Sequence, residues 1–221
     1  MPAKMPNIEF RETEMTEMIG NVMGPNRLVM VIGLHGIGKS SVANNVLHHI
    51  YERKQVTGGV LWLQLKGTKD VYAVLKEMQK YIYKSLILNK DEINELTRRT
   101  CTERDLTEYI INFFNNYHKP EIADKFKRKK QAKKSGNEFL ICFDNAEEII
   151  NREQNKFQLL LKKMLEYCPQ LRLIITSNKP LNEMGNMIHP INQYVSELST
   201  LQSVALFFET LDKIGFKGTK G

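Results

Sequence analysis

Gly33-Leu34-His35-Gly36-Ile37-Gly38-Lys39-Ser40 meets every fixed position of the pattern G-x-x-x-x-G-K-[ST]. Residues of these types at this spacing bind phosphate. The glycines let backbone N–H groups turn inward as an anion nest, and a helix that follows adds its positive end. Lys39 then reaches the β- and γ-phosphates of a nucleoside triphosphate, and the Ser40 hydroxyl ligates Mg²⁺. His35 and Ile37 hold variable positions of the same loop, and Ser41 follows it; with Gly33, Gly36 and Gly38 they are expected to line the nucleotide.

A second group is acidic. Asp144 ends the apolar run Phe139-Leu140-Ile141-Cys142-Phe143, and phosphoryl chemistry needs a carboxylate near the metal. A strand ending in Asp144 beside the strand of the glycine loop would supply it. Asn145 comes next, where many ATPases carry an acid that polarises the attacking water. Hydrolysis is therefore expected to be slow, or to rely on Glu147 or Glu148, which could equally form the acidic first turn of a helix. Thr176-Ser177-Asn178 follow another apolar run. A polar side chain there either reports on the γ-phosphate or caps the turn before Lys179-Pro180.

These residues need a scaffold that brings them to one edge. Leu28–Ile32 predicts a strand, Ser40–Tyr51 a helix, Val60–Leu65 a second strand, and the spacing of Val71, Val74, Leu75, Met78 and Ile82 a helix opened by Asp70. Helices are also expected near Asp91–Arg99, over Thr102–Tyr117, over Gln154–Tyr167 and over Thr200–Ile214. Phe139–Asp144, Leu171–Thr176 and Ile191–Val195 supply three more strands. Strands alternating with helices, without hairpin dipeptides, predict an α/β fold with a five-stranded parallel sheet wrapped by right-handed crossovers. Ligands bind such sheets at the carboxyl ends of the strands, where Gly33, Asp144 and Thr176 fall.

The 221 residues, 42% of them apolar, are enough for a real core. No apolar run is long enough to span a membrane or to act as a secretory signal, so the reading is a cytoplasmic protein without a membrane partner. Cys101, Cys142 and Cys168 keep no metal-ligand spacing, and Cys142 reads as a core residue. Most of the net charge of +7 lies between Lys119 and Asn137, where eight basic residues face Glu121 and Asp124. This stretch reads as a solvated insertion; contact with nucleic acid or an acidic partner is possible there but not favoured.

The motifs together resemble the STAND class of P-loop ATPases, the group that contains the NB-ARC proteins. Val31–Ser41 is similar to that family's glycine loop. Phe10-Arg11-Glu12-Thr13-Glu14 resembles its hhGRExE motif near the adenine, with Phe10 in the place of glycine. Val60-Leu61-Trp62-Leu63 resembles its tryptophan-bearing strand, and Phe143-Asp144-Asn145-Ala146-Glu147 a variant of Walker B. Ile175-Thr176-Ser177-Asn178 resembles its sensor, with Asn178 in the place of arginine, and Leu198–Phe208 the segment leading to a helical domain.

The resemblance implies ATP or ADP with Mg²⁺ as ligands, Arg11 and Asn178 among the nucleotide contacts, and a slow ATPase acting as a conformational switch that self-associates in the full-length protein. The implied organisation is an N-terminal segment over 1–26, a nucleotide-binding domain over 27–199 carrying the insertion 119–137, and the start of a helical domain over 200–221, as in a piece of a longer protein. Three other functions compete with the switch: an ATPase motor or loader acting on nucleic acid through the basic stretch, a scaffold that binds ATP without cleaving it, and, least of all, a metabolic P-loop kinase, for which no acceptor-site cluster stands beyond the loop and Asp144.

Overall fold

A computed structural model describes residues 1–4, 10–85, 102–116, 138–182 and 189–213. The expected helix near Asp91–Arg99, the basic stretch 119–137 and Cys101 lie outside the described residues. In chain order the elements are α1 (Glu12–Met23), β1 (Leu28–Ile32), α2 (Lys39–Glu52), β2 (Gly59–Gln64), α3 (Val71–Ser85), α4 (Glu103–Asn116), β3 (Phe139–Asp144), α5 (Glu147–Tyr167), β4 (Leu171–Ser177), β5 (Ile191–Tyr194) and α6 (Thr200–Lys213).

The five strands form one sheet in the order β2-β3-β4-β1-β5, and every neighbouring pair is parallel. Strand periodicity explains the layers. In β1, Leu28, Met30 and Ile32 join the core under α3, α4 and α5, while Val29 and Val31 join the core under α1 and α2. In β3 the same alternation sends Phe139, Ile141 and Phe143 to the first core and Leu140 and Cys142 to the second. A central strand buried on both faces is apolar along its length, as β1 is and as β3 is up to Asp144 at its carboxyl end. The result is the expected three-layer α/β/α sandwich.

Two arginines tie the layers together at helix ends. Arg27 donates to the carbonyls of Leu165 and Cys168, and Arg172 to those of Val22 and Gly24, so each satisfies acceptors that a helix terminus leaves unpaired. Burial, and then the charge of Arg172, lowers the pKa of Arg27.

Three features differ from the sequence reading. The strand carrying Asp144 is not beside β1, because β4 lies between them. The helix expected from Gln154 begins at Glu147 and passes through a kink at Glu153, whose φ of −133° and ψ of 41° are non-helical. The kink lets the Glu153 carboxylate accept the Val71 N–H at 2.9 Å, at the start of α3, where Asp70 also accepts from Ala73. Finally, the N-terminal segment expected only to bear a motif forms α1, whose Met15, Met18, Ile19 and Val22 keep helical spacing and pack into the second core.

Among the described residues, no helix is long and apolar enough to cross a membrane.

Candidate nucleotide-binding site

The loop between β1 and α2 is shaped by two different demands on glycine. Gly36 and Gly38 have φ of 78° and 102°, the left-handed region that an L side chain resists, although a Cβ would meet nothing within 4 Å at either. Gly33 is a matter of space. A Cβ there would lie 2.8 Å from the Val195 carbonyl oxygen and 3.0 Å from Ile37 Cγ2. Gly38 is the N-cap of α2 and no side chain caps that helix, which leaves its N-terminus to an anion.

Lys39 opens α2 and is 5% exposed. Its Nζ donates to the carbonyls of Gly33 at 3.0 Å and Leu34 at 2.9 Å, and lies 3.6 Å from Glu147 Oε1. The first turn of α5 and the edge of the site thus coincide: Glu147 belongs to both. Glu148 turns instead to Arg152.

Asp144, 1% exposed, is the best-bonded group at the strand ends. Its Oδ1 accepts from Ser40 Oγ at 2.7 Å and Thr176 Oγ1 at 2.6 Å; its Oδ2 accepts from Gln64 Nε2 at 2.9 Å and Asn145 Nδ2 at 3.2 Å. Although β4 separates β3 from β1, α2 packs over all three strands and so brings Ser40 to Asp144. Thr176 is fully buried and meets the site through Asp144 and through the Asn145 N–H, which it accepts at 2.8 Å. Asn145 holds a φ of 56°, a conformation that asparagine tolerates better than most residues. Asn178 is exposed beyond β4, and His35 is exposed at the tip of the loop. Ser41 and Ile37 are half-buried beside it.

Arg11 enters from the other side. It is 6% exposed, pairs with Glu14 at 2.7 Å and donates to the Ile37 carbonyl at 3.1 Å, so the N-terminal segment grips the phosphate loop directly. Phe10 just before it has a φ of 71°. The family's glycine at that position therefore has a physical reason that phenylalanine does not share.

A cavity of about 430 Å³ opens beside Ser40, Asn44, Trp62, Gln64, Asp144 and Asn145. A hydroxyl and a carboxylate are hard oxygen donors of the kind Mg²⁺ takes. Asn44 Oδ1, one helical turn past Ser40, is a buried acceptor with no protein partner and suits a metal-bound water. The donor set fits the ion. Ser40 keeps its proton directed at Asp144 Oδ1 and can still offer a lone pair to the ion, and bound Mg²⁺ would supply charge neutralisation at the phosphates.

Among the described residues, neither thiol takes part in the site. Burial pushes Cys142 well above the usual thiol range and Cys168 up to about 11. Sequence reasoning missed Gln64. The polar residue ending an otherwise apolar strand was the available signal, and only the pairing of β2 with β3 sets it opposite Asp144.

A parallel sheet with this loop after β1 and an aspartate at the end of β3 defines the P-loop class of nucleotide-binding proteins. Within it, residues 11–117 match the NB-ARC domain family, which bears out the resemblance to STAND-class P-loop ATPases. The chain is a P-loop ATPase nucleotide-binding domain. No curated protein matches it in sequence.

Among solved structures the chain is similar to the Aeropyrum pernix ORC1 protein in complex with DNA, at 13% identity and a TM-score of 0.67, over 96% of this chain and 52% of that one. Drosophila ORC bound to DNA gives 17% and 0.62, over 94% and 48%. Cdc6p from Pyrobaculum aerophilum gives 12% and 0.61, over 96% and 52%. At these identities the likeness is one of fold, and the chain spans about half the length of the structures it matches.

Proposed function

We propose that this chain is the ATP/ADP-binding switch domain of a STAND-class signalling ATPase, holding nucleotide with Mg²⁺ and hydrolysing it slowly. The observation that carries the reading is the state of the two groups that would drive hydrolysis. Asn145 is an amide folded back onto Asp144 and Gln64, and Glu147 lies against Lys39. Neither is free to polarise a water.

In this reading Arg11, Gly33, His35, Gly36, Ile37, Gly38, Lys39, Ser40 and Ser41 line the nucleotide, Ser40 and Asp144 hold Mg²⁺, and Thr176 and Asn178 lie on the γ-phosphate side. Lys39 exchanges the loop carbonyls for phosphate oxygens. A switch follows from differential affinity: ADP favours a closed form of the full-length protein, and ATP an open form that self-associates. Residues 200–221 begin a helical domain in this scheme, and α6 exposes Leu201, Val204, Phe207 and Phe208.

A second reading, an ATPase acting on nucleic acid, is favoured by the fold likeness to DNA-bound ORC proteins and by the basic stretch 119–137. One experiment separates the two: turnover of the purified protein with DNA, RNA or nothing added. Slow turnover indifferent to nucleic acid supports the switch. Brisk turnover raised by DNA or RNA, with steep salt dependence, supports the second reading instead.

A further inference from the structure

We infer that Gln64 is a positioning residue for the Asp144 carboxylate, and that through it Gln64 sets the affinity of the site for Mg²⁺. The inference rests on the nucleotide-binding reading above and extends it to a residue outside every motif. Gln64 is the last residue of β2 and lies in register with Asp144 across the β2–β3 pair. Its amide works in both directions. Nε2 donates to Asp144 Oδ2 at 2.9 Å, while Oε1 accepts from Asn145 Nδ2 at 3.0 Å and from the Lys66 N–H at 3.3 Å.

Asn145 Nδ2 also donates to Asp144 Oδ2 at 3.2 Å, so Gln64, Asp144 and Asn145 close a ring. The opposite oxygen, Oδ1, is held by the Ser40 and Thr176 hydroxyls. Two amides on one oxygen and two hydroxyls on the other fix the rotation of the carboxylate about its Cβ–Cγ bond. Hydrogen bonds to a charged acceptor are the strong ones, and this acceptor is buried. With the Gln64 amide removed, Oδ2 keeps only the longer bond from Asn145, the carboxylate can turn away from Ser40, and the pair of oxygens that would hold the ion is less preorganised.

Gln64 lines the cavity, but its amide bonds only to Asp144, Asn145 and the Lys66 N–H, none of which belongs to the phosphate loop. That separation gives the test. Affinity for ADP is measured in EDTA and across a Mg²⁺ titration, for the wild type, Gln64→Met and the polar, shorter Gln64→Asn. Both variants should keep metal-free ADP affinity within about twofold. The Mg²⁺ concentration at the midpoint should rise about tenfold, as expected when one charge-assisted hydrogen bond is lost.

An unchanged midpoint in a folded variant overturns the inference. So does an equal loss of metal-free affinity, which would mark Gln64 as structural. If the wild type itself binds no ADP, it is the underlying nucleotide reading that fails, and this outcome shows in the first titration.

Discussion

Ser40 and Asp144, 104 positions apart in the chain, are joined by a 2.7 Å hydrogen bond from Oγ to Oδ1. In the sheet β4 separates the Asp144 strand from the glycine-loop strand, and α2, packed over these strands, carries Ser40 to Asp144. The bond joins the two halves of the metal position before any ligand arrives. Replacing Ser40 with Ala should therefore remove both a ligand and a constraint. ADP affinity should become insensitive to Mg²⁺ while metal-free affinity changes little, as read by calorimetry with and without EDTA.

Phe10 invites a stabilising change. A non-glycine residue in the left-handed region costs about 1–2 kcal/mol, and Phe10 has a φ of 71°. Part of the gain from glycine is offset by its greater freedom in the unfolded chain and by the lost packing of the ring. Phe10→Gly should raise the midpoint of thermal unfolding modestly without weakening nucleotide binding. A fall of several degrees would show that the ring's packing outweighs the backbone strain.

Asn145→Asp should not create a faster ATPase. The new carboxylate would face Asp144 Oδ2, which now accepts from Asn145 Nδ2 at 3.2 Å, and two like charges at that distance repel. The variant should be destabilised at neutral pH and recover part of the loss as the pH falls and one carboxyl takes up a proton. Turnover above that of the wild type would contradict this account of the ring.

Glu153 gives a pH prediction with a defined sign. Its partners Lys156 and then the Val71 N–H lower its pKa from 4.5. A depressed folded-state value means that the contribution is present above the unfolded pKa and is lost as the pH drops through the folded one. Glu153→Gln should lower stability at pH 7 and flatten the decline of the unfolding midpoint below pH 4.5. Equally steep acid curves for the two proteins would rule this out.

The site's chemistry was legible where it is local. The glycine loop is read from spacing because phosphate nests need consecutive backbone groups, and Asp144 is read because an acid at the end of five apolar residues is conspicuous. What is non-local was not. Nothing in residues 171–177 says that β4 inserts between β3 and β1, since strand order is decided by crossovers rather than by any one strand's composition. Gln64 was invisible for the same reason. The start of α5 was missed because the kink at Glu153 interrupts the apolar period: Ile149 and Ile150 face the core on one side of it, and Phe157 and Leu160 on the other. In α1 the spacing of Met15, Met18, Ile19 and Val22 is plainly helical and overlaps the motif around Arg11.

Trp62 is the protein's one tryptophan and lines the cavity beside Ser40 and Asp144. Its fluorescence, followed as ADP or ATP is added with Mg²⁺ to the wild type and to Lys39→Ala, tests the central claim most directly. The account predicts a saturable change in the wild type and at least a tenfold weaker response in the variant, because removing the ammonium leaves the phosphates without a charge-assisted partner. Equal binding by both proteins, or none by the wild type, would contradict it.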